Sequence, residues 1–203
     1  MRVKHRGAVE RSFEPLQAIT HRLLALPNAP SLSAKPRAWV EEALAWLRRP
    51  GQTRDDITRR SAGLPMIFLG LACGEATISA GTKALIARIF QSLLDTAMGR
   101  EEGAARGVRV GVELTGVGRN QPTYADAYER SWPRCHAFNA LRLLFWANAL
   151  QSPAAAFHAS GLEGAIEALG DAHWEVRNSA MLAYSALTTR MVSHGLRSFT
   201  SEG

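Results

Sequence analysis

The stretch that decides the fold class is Asp171-Ala172-His173-Trp174-Glu175-Val176-Arg177-Asn178-Ser179-Ala180. It opens the last long amphipathic segment, in which apolar residues recur at three- and four-residue spacing to about Val192. An Arg-x-x-Ala helix start occurs twice more, at Arg59-Arg60-Ser61-Ala62 and at Arg134-Cys135-His136-Ala137. The last two starts are 43 residues apart, which is within the period of repeated helical hairpins. The pattern therefore predicts an all-α protein built from weakly repeated helix pairs.

Helical periodicity extends over most of the chain, and no segment alternates convincingly as a strand. A Pro65 inside the third helix predicts a kink there, because proline leaves the Ser61 carbonyl without its N–H donor. The region 99–131 differs, since it holds six glycines, many charges and little apolar density, which favours a mobile loop insertion. The predicted helices are 15–27, 36–49, 55–73, 82–98, 133–150, 161–169 and 171–192. The predicted organisation is a flexible basic N-terminus over 1–14, helical repeats over 15–98, a mobile loop insertion over 99–131, helical repeats over 132–195, and a tail over 196–203.

The residues Asp171, Val176, Arg177 and Ala180 resemble the second-helix signature of HEAT repeats. In such repeats the Asp and Arg help to tie neighbouring repeats together, and the Ala permits close packing. The predicted fold class is thus all-α, a HEAT/armadillo-like α-solenoid fragment with a long loop insertion.

The charge of the chain is uneven. Of 24 Lys and Arg and 18 Asp and Glu, the first 100 residues carry 15 and 8 respectively. A basic half suggests an acidic partner, of which RNA is the commonest, although a GC-rich genome would also enrich arginine. No apolar run is long enough to insert into a membrane, and residues 1–14 lack the apolar core of a signal peptide. Two scattered cysteines indicate free thiols in a reducing compartment, so we expect a cytoplasmic protein without a metal site.

The sequence contains no catalytic constellation. Cys135 and His136 are adjacent, so on a helix they point about 100° apart and cannot act as a nucleophile and its base. A hydrolase using Cys135 or Cys73 is therefore disfavoured. The glycine-rich run 111–118 has neither G-x-G-x-x-G nor a P-loop lysine. We expect a protein that is not an enzyme and binds no cofactor.

A specific motif stands at Arg59-Arg60-Ser61-Ala62-Gly63-Leu64-Pro65. It resembles the signature of the thyroid adenoma-associated protein family, which includes the fungal regulators of tRNA ribose methylation. The family's "V-H-A-L-N-x-L-R" helix is similar to residues 135–142, with Cys135 in place of an aliphatic residue. Its "W-x-V-R-N-S" and "S-A-L-x-x-R" segments are similar to residues 174–180 and 185–190. All occur in family order, and family members are several times longer, so the chain corresponds to a central core.

The resemblance implies a helical-repeat adaptor that assists a separate tRNA 2′-O-methyltransferase in methylating an anticodon-loop ribose. The methyltransferase and tRNA are the expected partners. The alternative is a generic HEAT-repeat scaffold for proteins, such as a transport or membrane-pump regulator, without RNA contact. Those two functions stay open at this point.

The candidate binding residues follow from side-chain chemistry within the first motif. Arginine donates two hydrogen bonds from a planar fork to phosphate, glycine permits close backbone approach, and Pro65 frees the Ser61 carbonyl. A solvated helix start, or contacts between repeats, would explain Arg59 and Arg60 equally simply. The RNA- or partner-binding candidates are Arg59, Arg60, Ser61, Gly63 and Pro65, and the structural motif residues are His136, Asn139, Arg142, Asp171, Trp174, Arg177 and Asn178. Trp132 and Trp174 are interpreted as core residues rather than base-stacking ones.

Overall fold

The computed structural model describes residues 6–26, 28–49, 63–78, 83–100 and 124–200, and it places the side chains of 11–26, 28–49, 63–78, 83–100 and 131–193. In these residues all regular structure is helical, as predicted. The α-helices are α1 (Arg6–Leu24), α2 (Pro30–Ser33), α3 (Lys35–Leu47), α4 (Leu64–Ala76), α5 (Ala84–Ala97), α6 (Tyr124–Trp146), α7 (Gln151–Ala154), α8 (His158–Ala168) and α9 (Trp174–Thr200). Short 3₁₀ turns at Asn148–Leu150 and Ala155–Phe157 connect α6, α7 and α8.

Helices α1, α4, α6 and α9 form a first layer. Helices α1 and α4 run parallel, because their contacts advance in step: Leu16 lies against Gly70, and Thr20 lies against Gly74. The two small residues, one turn apart on α4, let the helix axes approach closely. The two glycines therefore permit close contact between α1 and α4 at these positions.

Helices α6 and α9 are also parallel neighbours. Arg134, near the start of the described side chains of α6, pairs with Asp171 just before α9. Farther along both helices, Nε of Arg190 donates to the carbonyl of Phe145 at 3.2 Å. The Arg190 guanidinium also donates to the carbonyl of Trp146 and to Oδ1 of Asn148, so it satisfies acceptors at the end of α6.

Helices α3, α5 and α8 form a second layer and are likewise parallel. Between α3 and α5, Glu41 pairs with Arg88, and about two turns farther along Arg48 donates to Thr96. Between α5 and α8, Met98 lies against Gly164, while the rings of Phe90 and Phe157 stack at 4.8 Å.

The two layers run in opposite directions. Arg134 of α6 donates to the carbonyl of Ala97 at the end of α5, whereas the Phe145 ring of α6 lies 5.2 Å from the Phe90 ring. Helix α5 folds back on α4, and the buried Glu75 carboxylate near the α4 C-terminus accepts the N–H groups of Leu85 and Ile86 at 2.9 and 2.7 Å. A remote carboxylate therefore caps α5, whose own N-cap Lys83 makes no side-chain cap bond.

One apolar core lies between the layers and draws on every long helix. Its largest fully buried side chains are Trp132, Phe68, Phe90, Phe138, Phe145, Leu44, Leu47, Leu71, Ile86, Ile89, Leu93 and Leu141. Helix α6 contributes residues from several sides, in line with its prediction as an apolar helix between neighbours.

The segment predicted as a flexible N-terminus over 1–14 is helical from Arg6 onwards. Helix α1 begins at Arg6 and continues through Pro15 to Leu24. Phe13 and Leu16 pack against the core, and this packing supplies the stabilisation that local sequence polarity did not suggest.

The predicted insertion over 99–131 is wrong at its C-terminal end, because α6 begins at Tyr124. Ser131 and Trp132 are buried and anchor that part of the helix. Residues 101–123 lie outside the described residues. Gly99, at φ 67°, ends α5 in a Schellman motif in which the Arg100 N–H bonds the Asp95 carbonyl at 2.8 Å. Helix α9 extends to Thr200, so the first part of the predicted tail over 196–203 is also helical.

Candidate partner-binding site

The segment 59–65 enters the described structure at its last three residues. Helix α4 begins at Leu64, with Gly63 as its N-cap and Pro65 in its first turn. The Gly63 carbonyl accepts N–H bonds from Met66 and Ile67 at 3.1 Å. A first-turn proline gives up no intrahelical bond, so Pro65 lies at the start of the described helix and not in its interior. The first part of the helix predicted over 55–73, upstream of the predicted kink, lies outside the described residues. Its ring is buried with Leu64.

Arg59, Arg60 and Ser61 lie outside the described residues, but both attachment points of their segment are described. Upstream, Arg48 ends α3 and donates from Nε and Nη2 to Oγ1 of Thr96 at 3.3 and 3.2 Å. Downstream, Gly63 opens α4. Because α4 runs opposite to α3 and α5, both points lie at the same end of the layers. We call this the motif end, where α3 and α5 finish and α4 and α9 begin.

Asp171 forms a polar network at the motif end. One carboxylate oxygen accepts from the Arg134 guanidinium, and the other accepts the His173 backbone N–H at 2.8 Å and lies 3.0 Å from Nδ1 of His173. Burial alone would raise the pKa of Asp171, but the His173 N–H and the Arg134 charge outweigh it and hold the pKa below its ordinary value. Since Arg134 also donates to the Ala97 carbonyl at 2.9 Å, the network joins α5, α6 and the turn before α9.

Arg177 has a more local role than the HEAT resemblance implied. Its Nη1 donates to the carbonyls of Asp171 and Ala172 at 2.7 and 3.1 Å, which belong to the turn before its own helix. The arginine that ties neighbouring helices to Asp171 is Arg134, the equivalent residue of the preceding Arg-x-x-Ala start. The repeated Arg-x-x-Ala pattern indicates both arginines in the sequence. It does not show which of the two contacts the Asp171 carboxylate.

The motif residues on α6 face inward. His136 and Asn139 are buried, and Arg142 is half-buried. The His136 ring lies 6.3 Å from the ring of Trp46 on α3. None of the three motif side chains is without an interaction partner. Their position makes them part of the packing between α6 and its neighbours rather than an open surface.

The motif residues at the start of α9 face outward instead. Trp132 is 1% exposed, in line with its interpretation as a core residue, but Trp174 is 55% exposed, so that interpretation is wrong for Trp174. Arg177 and Asn178 are exposed beside it. Trp174 precedes the first buried residue of α9, Val176, and points to the opposite side of the helix.

Neither of the two cysteine thiols is suited to act as a nucleophile. Cys73 and Cys135 are both free and buried. Burial raises the pKa of Cys73 to about 11 and that of Cys135 to about 12, so neither is a thiolate at neutral pH.

Two further searches concern only the described part of the chain. Within it, no three His, Cys, Asp or Glu side chains converge so that they could hold a metal ion. Among the helices between residues 6 and 200 that the structure describes, none is both long and apolar enough to cross a membrane.

Relatives with curated names match nearly the whole chain. A protein of Drosophila melanogaster named "tRNA (32-2'-O)-methyltransferase regulator THADA" is 30% identical over 194 residues, which are 93% of this chain and 10% of the relative. The Homo sapiens protein of the same name is 29% identical over 189 residues, 93% of this chain and 8% of the relative. The chain thus spans about a tenth of the length of these relatives. No solved structure matches the chain.

The family model described as "THADA/TRM732, DUF2428" matches residues 1–175. This range contains the first two motifs, at 59–65 and 135–142, and ends as the third begins at Trp174. A match over most of the chain, supported by the named relatives, identifies this protein as a member of the THADA/TRM732 family.

Proposed function

We propose that this chain is a non-catalytic adaptor that assists a partner 2′-O-methyltransferase in methylating an anticodon-loop ribose of tRNA. The observation that carries the proposal is the family match over residues 1–175, with relatives that are named regulators of a tRNA methyltransferase rather than methyltransferases. The buried thiols agree with a role without chemistry of its own. The proposal places the protein in the cytoplasm, with no cofactor.

The proposal includes a HEAT/armadillo-like solenoid as the scaffold. Its support is the direction of the helices: α1, α4, α6 and α9 advance side by side in one layer, and α3, α5 and α8 return in the other. Stacked helix pairs of this kind place each repeat in contact with its neighbours and leave an extended surface for partners. Such a surface suits a protein that must hold an enzyme and an RNA together.

We place the RNA or methyltransferase contact at the motif end, through Arg59 and Arg60. The guanidinium fork suits phosphate or carboxylate acceptors. Gly63 and Pro65 contribute by fixing the start of α4 immediately after the arginines. A fixed helix start gives the preceding segment a defined exit point from the core.

The alternative, a protein–protein scaffold without RNA contact, has one observation in its favour. Trp174 and Met181 expose more than half of their side chains on α9, and an exposed apolar surface typically marks a protein partner. The two functions differ in what the arginines do, so they can be separated by experiment.

The test changes Arg59 and Arg60 together to Ala in the full 203-residue chain. Binding to tRNA is measured by fluorescence anisotropy over a salt series, and ribose methylation with the cognate methyltransferase. We expect an unchanged melting temperature, sharply reduced methylation, and a log–log salt slope that is smaller by about one unit for each lost phosphate contact. Lys at both positions keeps the charge but removes the fork, so a lack of rescue would indicate bidentate recognition.

The matched control is Arg11→Ala with Arg22→Ala, which removes the same charge from two exposed positions of α1. We expect the control to methylate and bind like the wild type. Equal losses of tRNA binding and methylation in both double variants would show that the effect depends on the net charge of the chain and not on Arg59 and Arg60. A stable Arg59/Arg60 variant with wild-type tRNA binding, enzyme binding and methylation would refute the adaptor site and leave the scaffold function.

A further inference from the structure

Helices α3 and α5 carry a surplus of positive charge at the surface. The exposed and half-buried basic side chains of these helices and their ends are Lys35, Arg37, Arg48, Arg49, Lys83, Arg88 and Arg100. Within the described residues 35–49 and 83–100, the surface carboxylates are those of Glu41, Glu42 and Asp95. Helix α8, on the other side of α5, exposes Glu163 and Glu167 and contains no Lys or Arg. The basic surface therefore belongs to one pair of helices, and it favours a negatively charged partner.

Three of these arginines lie at the motif end, where α3 and α5 finish. The Arg48 guanidinium donates to Oγ1 of Thr96 at 3.3 and 3.2 Å, and this contact joins the two helix ends. One turn beyond Thr96, the Arg100 N–H bonds the Asp95 carbonyl at 2.8 Å and fixes that backbone position. Arg49 and Arg100 are exposed. Since the axes of packed helices are about 8–10 Å apart, both guanidinium groups can contact one strand of a polyanion.

The charge on the α3–α5 side of the motif end is not neutralised by its surroundings. Most carboxylates of this end belong to the α8–α9 side, and they are Glu167, Asp171 and Glu175. That side also holds Arg177 and Arg134, which pairs with Asp171. On the α3–α5 side, the described carboxylate is that of Asp95, against three arginines. The negative C-terminal dipoles of α3 and α5 are opposed by the positive N-terminal dipoles of α4 and α9 at the same end.

An exposed aromatic ring accompanies the arginines. Trp46 lies one turn before Arg49 on α3 and is 44% exposed. Its ring lies 6.3 Å from the ring of the buried His136 on α6, at an angle of 51°, and this contact helps to hold the indole in place. Single-stranded nucleic acids are bound by this combination, because arginines contact the phosphates while a base stacks on the ring. The pairing of charge with an aromatic ring favours RNA over an acidic protein segment.

We propose that Trp46, Arg49 and Arg100 form a contact for single-stranded RNA at the motif end. The two arginines bind phosphates of one strand, and Trp46 stacks on an unpaired base. This α3–α5 RNA contact lies at the end of the layers where the segment containing Arg59 and Arg60 leaves and rejoins the described core, so it extends the tRNA function proposed above and rests on it. It adds two phosphate contacts and the recognition of an unpaired base, which a tRNA loop supplies.

The first test changes Arg49 and Arg100 together to Ala in the full chain and measures tRNA binding by fluorescence anisotropy over a salt series. We expect the log–log salt slope to fall by about 1.4 units, since each phosphate contact with a single strand contributes about 0.7. The matched control is Lys35→Ala with Arg37→Ala, which removes the same charge from exposed positions at the other end of α3. Arg37 lies about 18 Å along the helix from Arg49, and we expect the control to keep the wild-type slope.

The second test separates stacking from charge with two probes, poly(U) and inorganic polyphosphate, which is a chain of phosphates without bases. Trp46→Ala should weaken poly(U) binding roughly 5- to 150-fold, the range expected for one stacked base, and leave polyphosphate binding unchanged. Partial unfolding of the variant would weaken both probes, so the comparison separates the two explanations. Trp46→Phe keeps an aromatic ring and should retain most of the poly(U) affinity.

A wild-type salt slope in the Arg49/Arg100 variant overturns the α3–α5 RNA contact, as does a Trp46→Ala variant that treats poly(U) and polyphosphate alike. If changing Arg59 and Arg60 still lowers tRNA binding in either case, the function proposed above survives without this contact. Loss of methyltransferase binding with unchanged tRNA binding would assign the surface to a protein partner and also overturn the proposal. A wild-type chain that binds no tRNA overturns both the contact and the RNA function.

Discussion

Changing Gly74 to Ala tests the tight crossing of α1 and α4. A Cβ at this position would lie 2.6 and 2.7 Å from Cβ and Cγ2 of Thr20 and 2.9 Å from the backbone oxygen of Gln17. These atoms belong to a β-branched side chain and to backbone, so α1 itself must move. Overpacking of this kind costs about 1–3 kcal/mol, and we expect the upper part of that range because backbone is involved. Ala in place of Gly within a helix returns about 1 kcal/mol. The expected net loss is about 1–2 kcal/mol of unfolding free energy.

Urea unfolding followed by circular dichroism measures this loss, with a fall in Tm of roughly 2–4 °C per kcal/mol as a second readout. The matched control lies one turn away on the same helix. A Cβ at Gly70 would lie 3.0–3.3 Å from three atoms of the flexible Leu16 side chain, which can move aside. We expect Gly70→Ala to be neutral within about 0.5 kcal/mol, since the gain in helix propensity offsets a small strain. A Gly74→Ala variant that is as stable as Gly70→Ala would refute the close parallel packing of α1 on α4.

Three further changes test other contacts. Asp171→Asn should lower stability at pH 7. Since the folded-state pKa of Asp171 is lowered, its contribution is complete above the unfolded value of about 3.9 and is lost as pH falls through the folded-state pKa, so urea unfolding should show a smaller deficit for the variant at pH 3 than at pH 7. Thr20→Val should stabilise the chain by about 1 kcal/mol in the same assay, because the buried Thr20 hydroxyl has no partner among the described residues, and an unchanged or lower stability would contradict this. A thiol reagent at pH 7.5 should label neither Cys73 nor Cys135 until urea unfolds the chain, and fast labelling of the native protein would show that a thiol is accessible and ionised.

Apolar periodicity predicted the middle of the helices well and their ends poorly. Residues 82–98 were expected to be helical, and α5 spans Ala84–Ala97 with its Gly99 stop. The starts of α1 and α6 were missed because they depend on tertiary contacts. Phe13 packs on the core, and Trp132 anchors the start of α6, although both stand in polar sequence. A local pattern cannot register a partner that lies far away along the chain.

The role of proline and tryptophan was harder to predict for a related reason. Pro65 is compatible with a kinked helix interior and with a first turn, and only the position of Gly63 as the N-cap distinguishes them. Trp174 follows the helical spacing of its neighbours, but the spacing alone does not say whether a further element covers that side of α9. Likewise, the sequence suggested an Asp–Arg tie between repeats, and the structure was needed to identify Arg134 rather than Arg177 as its arginine.

The direction of the first layer explains why motifs far apart in sequence belong together. Gly63 and Pro65 open α4, His136 follows Arg134 in α6, and Asp171 immediately precedes α9. Because these helices are parallel, and because Arg134 on α6 lies beside the end of α5 and the turn before α9, these motif residues come to the same end of the layers. Arg134 and Asp171 stabilise that end by joining α5, α6 and the α9 turn, whereas the segment containing Arg59 and Arg60 begins and ends there without belonging to the described core. On the adaptor function proposed above, a frame already formed at that end would bind a partner without spending binding energy on ordering the scaffold.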